Sequence, residues 1–495
     1  MQHSPAVSLS RSDIARILAG LLLAMLLASL DQTIVATAMP TIGRELGHPD
    51  QLPWLVTAYL LAATAVTPLY GKLSDIHGRR IVLLTAIAIF LVGSLLCALS
   101  PSLLILALSR AVQGAGGGGL ISLAQTIIGD LLPPRERVRY QVHIASVFIV
   151  SSAAGPVLGG LLSEHVHWTA IFWINLPLGL IAWLVSHRQL KRLPRVERPH
   201  RLDVAGALLL IAATSSLLLG LNWGGVHYAW GSPEIWGIFA ACLALWIGFG
   251  LRMHLAQEPL IPLTLLADRT VLGATLAASF SLGAFVGPSV FTPIFFQSML
   301  GLSATGSGGA LMPLMLGPIV GATLSGRAMI HIRHYKIVPI AGLCLSCAAA
   351  VTLALRPSGL PLPVICALQG AVGVGLGTVL SVATISIQNA VAPHQLGTAL
   401  SASNLFRQLG AALGVAVCGA ILGGAGIAGA AHADAGAVHL LAADAAALIG
   451  GYRLIFVVTA IATLGALLAL LLIEELPLRG AEEGQNLGGL RPRAK

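Results

Sequence analysis

The sequence predicts an all-α membrane protein of fourteen spans, grouped six, two and six. Three observations predict it. Only nine per cent of the 495 residues are charged and 56 per cent are hydrophobic, where a soluble domain carries about 25 per cent charge. Apolar runs of about 20 residues, enough to cross a bilayer, recur along the whole chain. The basic residues fall almost entirely into alternate connecting segments. So few charges cannot clothe a water-facing surface, which excludes soluble enzymes. The net charge of +9 is placed for a membrane rather than for nucleic acid.

The first six runs lie near 16–38, 53–71, 81–99, 102–124, 141–162 and 168–187. Arg11 and Arg16 precede the first, and Ala36-Thr37-Ala38 resembles a signal-peptidase site. The run is too long for a signal core, so it reads as an uncleaved first span. Two further runs lie near 204–222 and 234–251, and the last six near 271–297, 308–326, 337–355, 361–385, 398–424 and 452–473. Their many Gly and Pro residues are compatible with transmembrane helices. The resulting organisation is a six-helix bundle over 1–187, a basic linker over 188–202, two inserted helices within 203–254, a second bundle over 255–474 and a tail over 475–495. The Ala/Gly-rich outer segment 423–451 receives no role.

With the N-terminus inside, 23 of 28 Lys and Arg lie on the inner side and 3 on the outer. Both termini are therefore expected in the cytoplasm. Six cysteines, including the pair Cys344 and Cys347, sit within apolar runs and read as small filler, so no metal site and no cofactor is expected.

Charges inside spans are rare and costly, hence candidates for function. Asp31 is the one acid well inside a span. It lies about 10 Å below the outer face and Arg110 about 12 Å below it, counting 1.5 Å per residue. The two are expected to pair, either as a working site or as a fixed structural ion pair. Gln113, one turn from Arg110, shares its face and is the choice among the polar span residues for lining a pore. Most of the others, Asn175, Gln369 and Asn404 among them, are expected to hydrogen-bond between helices. Arg407 sits deep in the thirteenth span, either satisfied by backbone carbonyls or facing a wet cavity that attracts an anionic group.

Gly71-Lys72-Leu73-Ser74-Asp75-Ile76-His77-Gly78-Arg79-Arg80 resembles the signature loop of the major facilitator superfamily. Its glycines permit tight turns, and Asp75 with the arginines forms ion pairs, Asp130 being a partner for Arg79. The segment Gly321–Arg327 echoes this loop in the second half, and two related halves fit a transporter fold. Arg110-Ala111-Val112-Gln113-Gly114 is similar to the superfamily's proton-linked motif, and Gly155-Pro156-Val157-Leu158-Gly159-Gly160 to its exporter motif. Gly and Pro there would bend the helix and let a neighbour approach closely. The family usually has a glycine where Ser151 stands.

Leu30–Val35, Trp168–Gly179 and Phe406–Gly410 resemble the fourteen-span drug:proton antiporters, although Thr169 and Ala170 replace an arginine and a tryptophan. The resemblance implies two bundles of the major facilitator type and proton-driven export of amphipathic compounds, cationic ones included, across a bacterial inner membrane. It implies proton coupling by Asp31 and Arg110, a substrate cavity with Gln113, Asn404 and Arg407, and a cytoplasmic gate of Gly71, Asp75, Gly78, Arg79, Arg80 and Asp130. Partners would be protons, a small-molecule substrate, the lipid bilayer and, as a candidate, a periplasmic adaptor protein. The alternatives are a proton-coupled importer of a small metabolite, disfavoured by the exporter motif, and an intramembrane enzyme, which would need a nucleophile–base pair or metal cluster at matching depth. ATP-driven transport lacks its phosphate loop; Gly116–Gly119 reads as a helix-packing run.

Overall fold

The computed structural model describes residues 11–46, 53–132, 134–192, 203–225, 228–257, 259–262, 265, 267–302, 304–332, 334–356, 359–392, 395–424 and 442–475. Apolar composition without strand periodicity gives helices throughout. These are α1 (Arg11–Leu46), α2 (Pro53–His77), α3 (Arg79–Ala98), α4 (Leu103–Leu131), α5 (Pro134–His165), α6 (Ala170–Trp173), α7 (Asn175–Gln189), α8 (Val204–Trp223), α9 (Pro233–Leu255), α10 (Arg269–Leu300), α11 (Ala304–His331), α12 (Ile337–Leu355), α13 (Leu362–Ala390), α14 (Leu396–Gly424) and α15 (Ala442–Leu471). Among the described residues, 13 helical segments are long and apolar enough to cross a membrane.

Two compact units emerge, one of Met1–Leu132 with Ser146–Leu202, the other of Pro133–Ala145 with Asp203–Lys495. Within the first, α4 packs against α1, α2 and α3, and α7 against α1 and α3. Within the second, α13 packs in the same way against α10, α11 and α12, and α15 against α10 and α12. The sequence carries this repetition. Arg110-Ala111-Val112-Gln113-Gly114 on α4 aligns with Cys366-Ala367-Leu368-Gln369-Gly370 on α13. The 33-residue separation from Arg80 to Gln113 recurs from Lys336 to Gln369.

The first unit also ties the start of α3 to the end of α7, and the second the start of α12 to the end of α15. In the first, Arg80 Nη2 lies 3.2 Å from His187 Nδ1, and the His187 ring stacks on Trp183. In the second, Lys336 Nζ donates to the Ile473 carbonyl at 2.6 Å, and the Lys336 amide donates to Glu475 at 2.9 Å. Burial opposes the charge of Glu475, but hydrogen bonds from His334 and that amide outweigh it and hold its carboxyl below the ordinary value. Glu475 is thereby docked at the start of α12. The α8–α9 hairpin belongs to the second unit and is closed by Asp203, whose Oδ1 accepts from the Gly206 amide and from Arg252 Nε, each at 3.0 Å. Outward on α9, Trp236, Leu243, Ile247 and Leu251 are exposed, as lipid-facing residues should be.

Several boundaries differ from the apolar runs. α5 starts at Pro134, seven residues before its apolar run, because Pro at the first position and Glu136 in the first turn suit a helix start. The basic linker begins as helix and a 3-10 turn through Arg192. Most of it (193–202), the core of the 423–451 segment (425–441) and the tail from 476 lie outside the described residues.

Candidate functional site

Asp31 on α1 and Arg110 on α4 meet inside the first unit. Arg110 Nη1 donates to Asp31 Oδ2 at 2.5 Å. The other carboxylate oxygen accepts from Gln113 Nε2 and from Asn175 Nδ2, each at 2.8 Å. Ser94 Oγ accepts from the same two amides at 3.0 Å. Arg110 Nη1 also donates to Gln113 Oε1 at 2.6 Å, and its Nε to the Leu55 backbone carbonyl at 3.1 Å. Its guanidinium lies over the Tyr59 ring, 4.3 Å from the centroid, adding cation–π attraction.

The whole group is closed off: Asp31, Gln113, Ser94 and Asn175 are 0 % exposed and Arg110 is 1 % exposed. A charge pair survives such burial only when its remaining lone pairs and donors are satisfied, and Gln113, Asn175 and Leu55 do so. α4 comes close enough to supply Arg110 because its glycines remove side chains at the contact. A Cβ on Gly114 would collide with the Tyr59 carbonyl of α2, and one on Gly118 with that of Ala63.

The aligned place in the second unit carries no charge. Cys366 stands for Arg110, and Gln369 Nε2 donates to the Tyr452 hydroxyl at 3.4 Å. Tyr452 in turn stacks on Phe295 at 3.8 Å. The repeat is thus charged in one unit and aromatic in the other.

The α2–α3 connection forms a second cluster. Arg79 Nε donates to Asp130 Oδ2 at 2.8 Å and Nη1 to Ser74 Oγ at 2.6 Å, while Nη1 also pairs with Asp75. Gly78 has φ 89°, a left-handed backbone that only glycine adopts without strain. Gly71 differs from its expectation. It is buried within α2, because the helix continues to His77 and the turn is confined to Gly78.

In α5 the exporter-type motif acts on α1. A Cβ on Gly155 would overlap the Thr33 side chain, whose hydroxyl donates to the Ser151 carbonyl at 2.9 Å. Gly159 is buried, whereas Gly160 has nothing within 4 Å of a built Cβ. Pro156 lies within the uninterrupted helix.

Asn404 and Arg407 belong to the second unit, and Gln113 to the first. Arg407 Nη1 donates to Asn404 Oδ1 at 2.9 Å, and Arg407 Nε is buried without a partner. Among the described residues, no three His, Cys, Asp or Glu side chains form a metal-ligand set.

Residues 21–415 match the family model described as Major Facilitator Superfamily. An all-helical chain whose two units repeat one helix pairing, with paired charges buried among apolar spans, is a multi-pass membrane transporter by class. The chain belongs to the major facilitator superfamily. It is 35% identical over 409 residues to the "Multidrug transporter protein MdtP" of Bacillus subtilis, covering 82% of this chain and 75% of that one. It is 33% identical over 404 residues to "Multidrug resistance protein 3" of the same organism, covering 81% and 78%. A solved bacterial homologue of the iron transporter ferroportin, in an outward-facing state, has the same fold. Its TM-score is 0.66 at 14% identity, over 92% of this chain and 98% of that one.

Proposed function

We propose that the protein is a proton-driven antiporter that exports amphipathic organic compounds, cationic ones included, across the bacterial cytoplasmic membrane. The observation that carries this reading is the enclosed Asp31–Arg110–Gln113–Asn175 cluster in a family of small-molecule transporters. Asp31 carries the proton and Arg110 is its counter-charge. Their enclosure means that α1, α4 or α7 must shift before water from either side reaches the carboxylate. Protonation removes the attraction that closes the cluster, so proton binding and cluster opening favour one another. Substrate then enters when the proton leaves. The names of the two Bacillus relatives and the Gly155–Gly160 motif support export.

Asn404 and Arg407 contact substrate, and Gln113 holds the Asp31 carboxylate. The Asp75–Arg79–Asp130 cluster, with Gly71, Gly78 and Arg80, forms the cytoplasmic gate. α5, 32 residues and about 48 Å long at 1.5 Å per residue, is the fourteenth span. The spans then divide into bundles within 1–187 and 255–474 around the pair in 203–254, with both termini cytoplasmic. A periplasmic adaptor is a candidate partner.

Inside-out vesicles with an imposed proton gradient test the mechanism. An exporter releases protons when a transported compound is added outside. The importer reading predicts no such release, and its absence at equal insertion would sink the antiport reading.

A further inference from the structure

The second unit carries a cation at membrane depth that no carboxylate among the described residues compensates. Arg407 lies eleven residues into α14, about 16 Å from its start, beyond the reach of its own side chain to that end. Unlike Arg110, it has no carboxylate partner among the described residues. Its Nη1 donates to Asn404 Oδ1, and its Nε is buried and unpaired. The side chain as a whole is part-buried. An unpaired cation at this depth is costly, and the helix gives it no means of escape. Gly410 and Gly414, beginning one turn beyond it, press α14 backbone to backbone on α10; a Cβ on either would collide with the carbonyl of Ser279 or Gly283.

The donors left over have a definite geometry. A guanidinium presents Nε–H and Nη–H side by side, a fork that matches two oxygens of a carboxylate, sulfonate or phosphate. Asn404 spends its carbonyl in holding the guanidinium, which leaves its amide N–H groups as further donors beside the fork. The unpaired Arg407 Nε and the Asn404 amide are both donors. The set suits an oxyanion.

We propose that Arg407 and Asn404 form the recognition site for an oxyanion on the substrate, so that the transported class includes amphipathic acids and zwitterions with an apolar body. The substrate role rests on the export reading above, but binding is measurable without a gradient.

Tritiated 1-pyrenebutyrate and its neutral counterpart 1-pyrenebutanol, tested by scintillation proximity on the purified full chain in detergent, supply the comparison. Wild type should bind the carboxylate more tightly than the alcohol. Arg407→Gln should lower that preference about tenfold, the loss of one charge-assisted hydrogen-bonded contact. Asn404→Ala, which keeps the charge and serves if Arg407→Gln fails to fold, should lower it by less. Equal losses of both probes would make Arg407 a structural group and overturn the proposal. Displacement of pyrenebutyrate by phosphatidylglycerol, at concentrations below the probe's own Kd, would assign the pair to lipid phosphate and also overturn it. Selective binding without proton-driven transport would sink the export reading alone.

Discussion

Replacing Arg110 with glutamine measures what the guanidinium does for Asp31. The carboxylate is wholly enclosed, and stripping a buried pair of one partner costs about 3–5 kcal/mol. Two amide donors, Gln113 Nε2 and Asn175 Nδ2, remain at 2.8 Å. Hydrogen bonds to a charged group contribute about 1.5–3 kcal/mol each, so the loss should fall at the lower end, about 3 kcal/mol. For a unit of about 190 residues that corresponds to a drop in Tm of about 6–12 °C. The double variant Asp31→Asn/Arg110→Gln removes both charges and keeps polar groups of similar size. It should return to within about 1 kcal/mol of wild type. Heating the purified protein with a thiol-reactive fluorophore reports the transition, because Cys97 is buried in the same unit. A double variant as unstable as the sum of the two single ones would show that the charges are not coupled and refute the reasoning.

Three further outcomes are expected. Asp75→Asn should leave the protein inserted and slow transport about fivefold, the equivalent of roughly 1 kcal/mol, since Arg79 keeps Asp130 and Ser74; wild-type turnover at equal expression would reduce the cluster to a topological anchor. Gly155→Leu should destabilise by about 1–3 kcal/mol through overlap with Thr33 while Gly160→Ala stays near neutral, read by the same thermal assay; equal effects would deny the contact its role. Reporter fusions after Arg195, Val226 and Ala267 should read inside, outside and inside, and an inside signal at Val226 would remove the two inserted spans.

What the sequence made legible follows from scarcity. Asp31 and Arg110 stand out because charges in apolar runs are few, and counting helical rise puts them at one depth. Gln113 follows from Arg110 by one turn. Ser94 and Tyr59 left no such signal, since a serine or tyrosine in a span is ordinary. Asn175 was visible as a polar span residue, but nothing local said that it would reach Asp31 rather than any neighbour. A signal did exist for the wider arrangement. The Arg110–Gly114 and Cys366–Gly370 segments align at equal distance from Arg80 and Lys336, and that register pairs α4 with α13. Gly71 was misjudged because glycine in a polar stretch resembles a turn, whereas tertiary packing keeps α2 helical through it. Helix starts such as Pro134 were hidden because a capped polar first turn carries no apolar periodicity.

The account turns on Asp31 as the proton carrier. Inside-out vesicles are energised to an acidic interior, and the proton gradient is followed by a quenched acridine dye while a transported pyrene probe is added outside. Wild type should release protons on each addition. Asp31→Asn keeps the side-chain shape, can still hydrogen-bond Arg110 and has no proton to exchange, so at equal insertion it should release none. Release at the wild-type rate through Asp31→Asn would contradict the account.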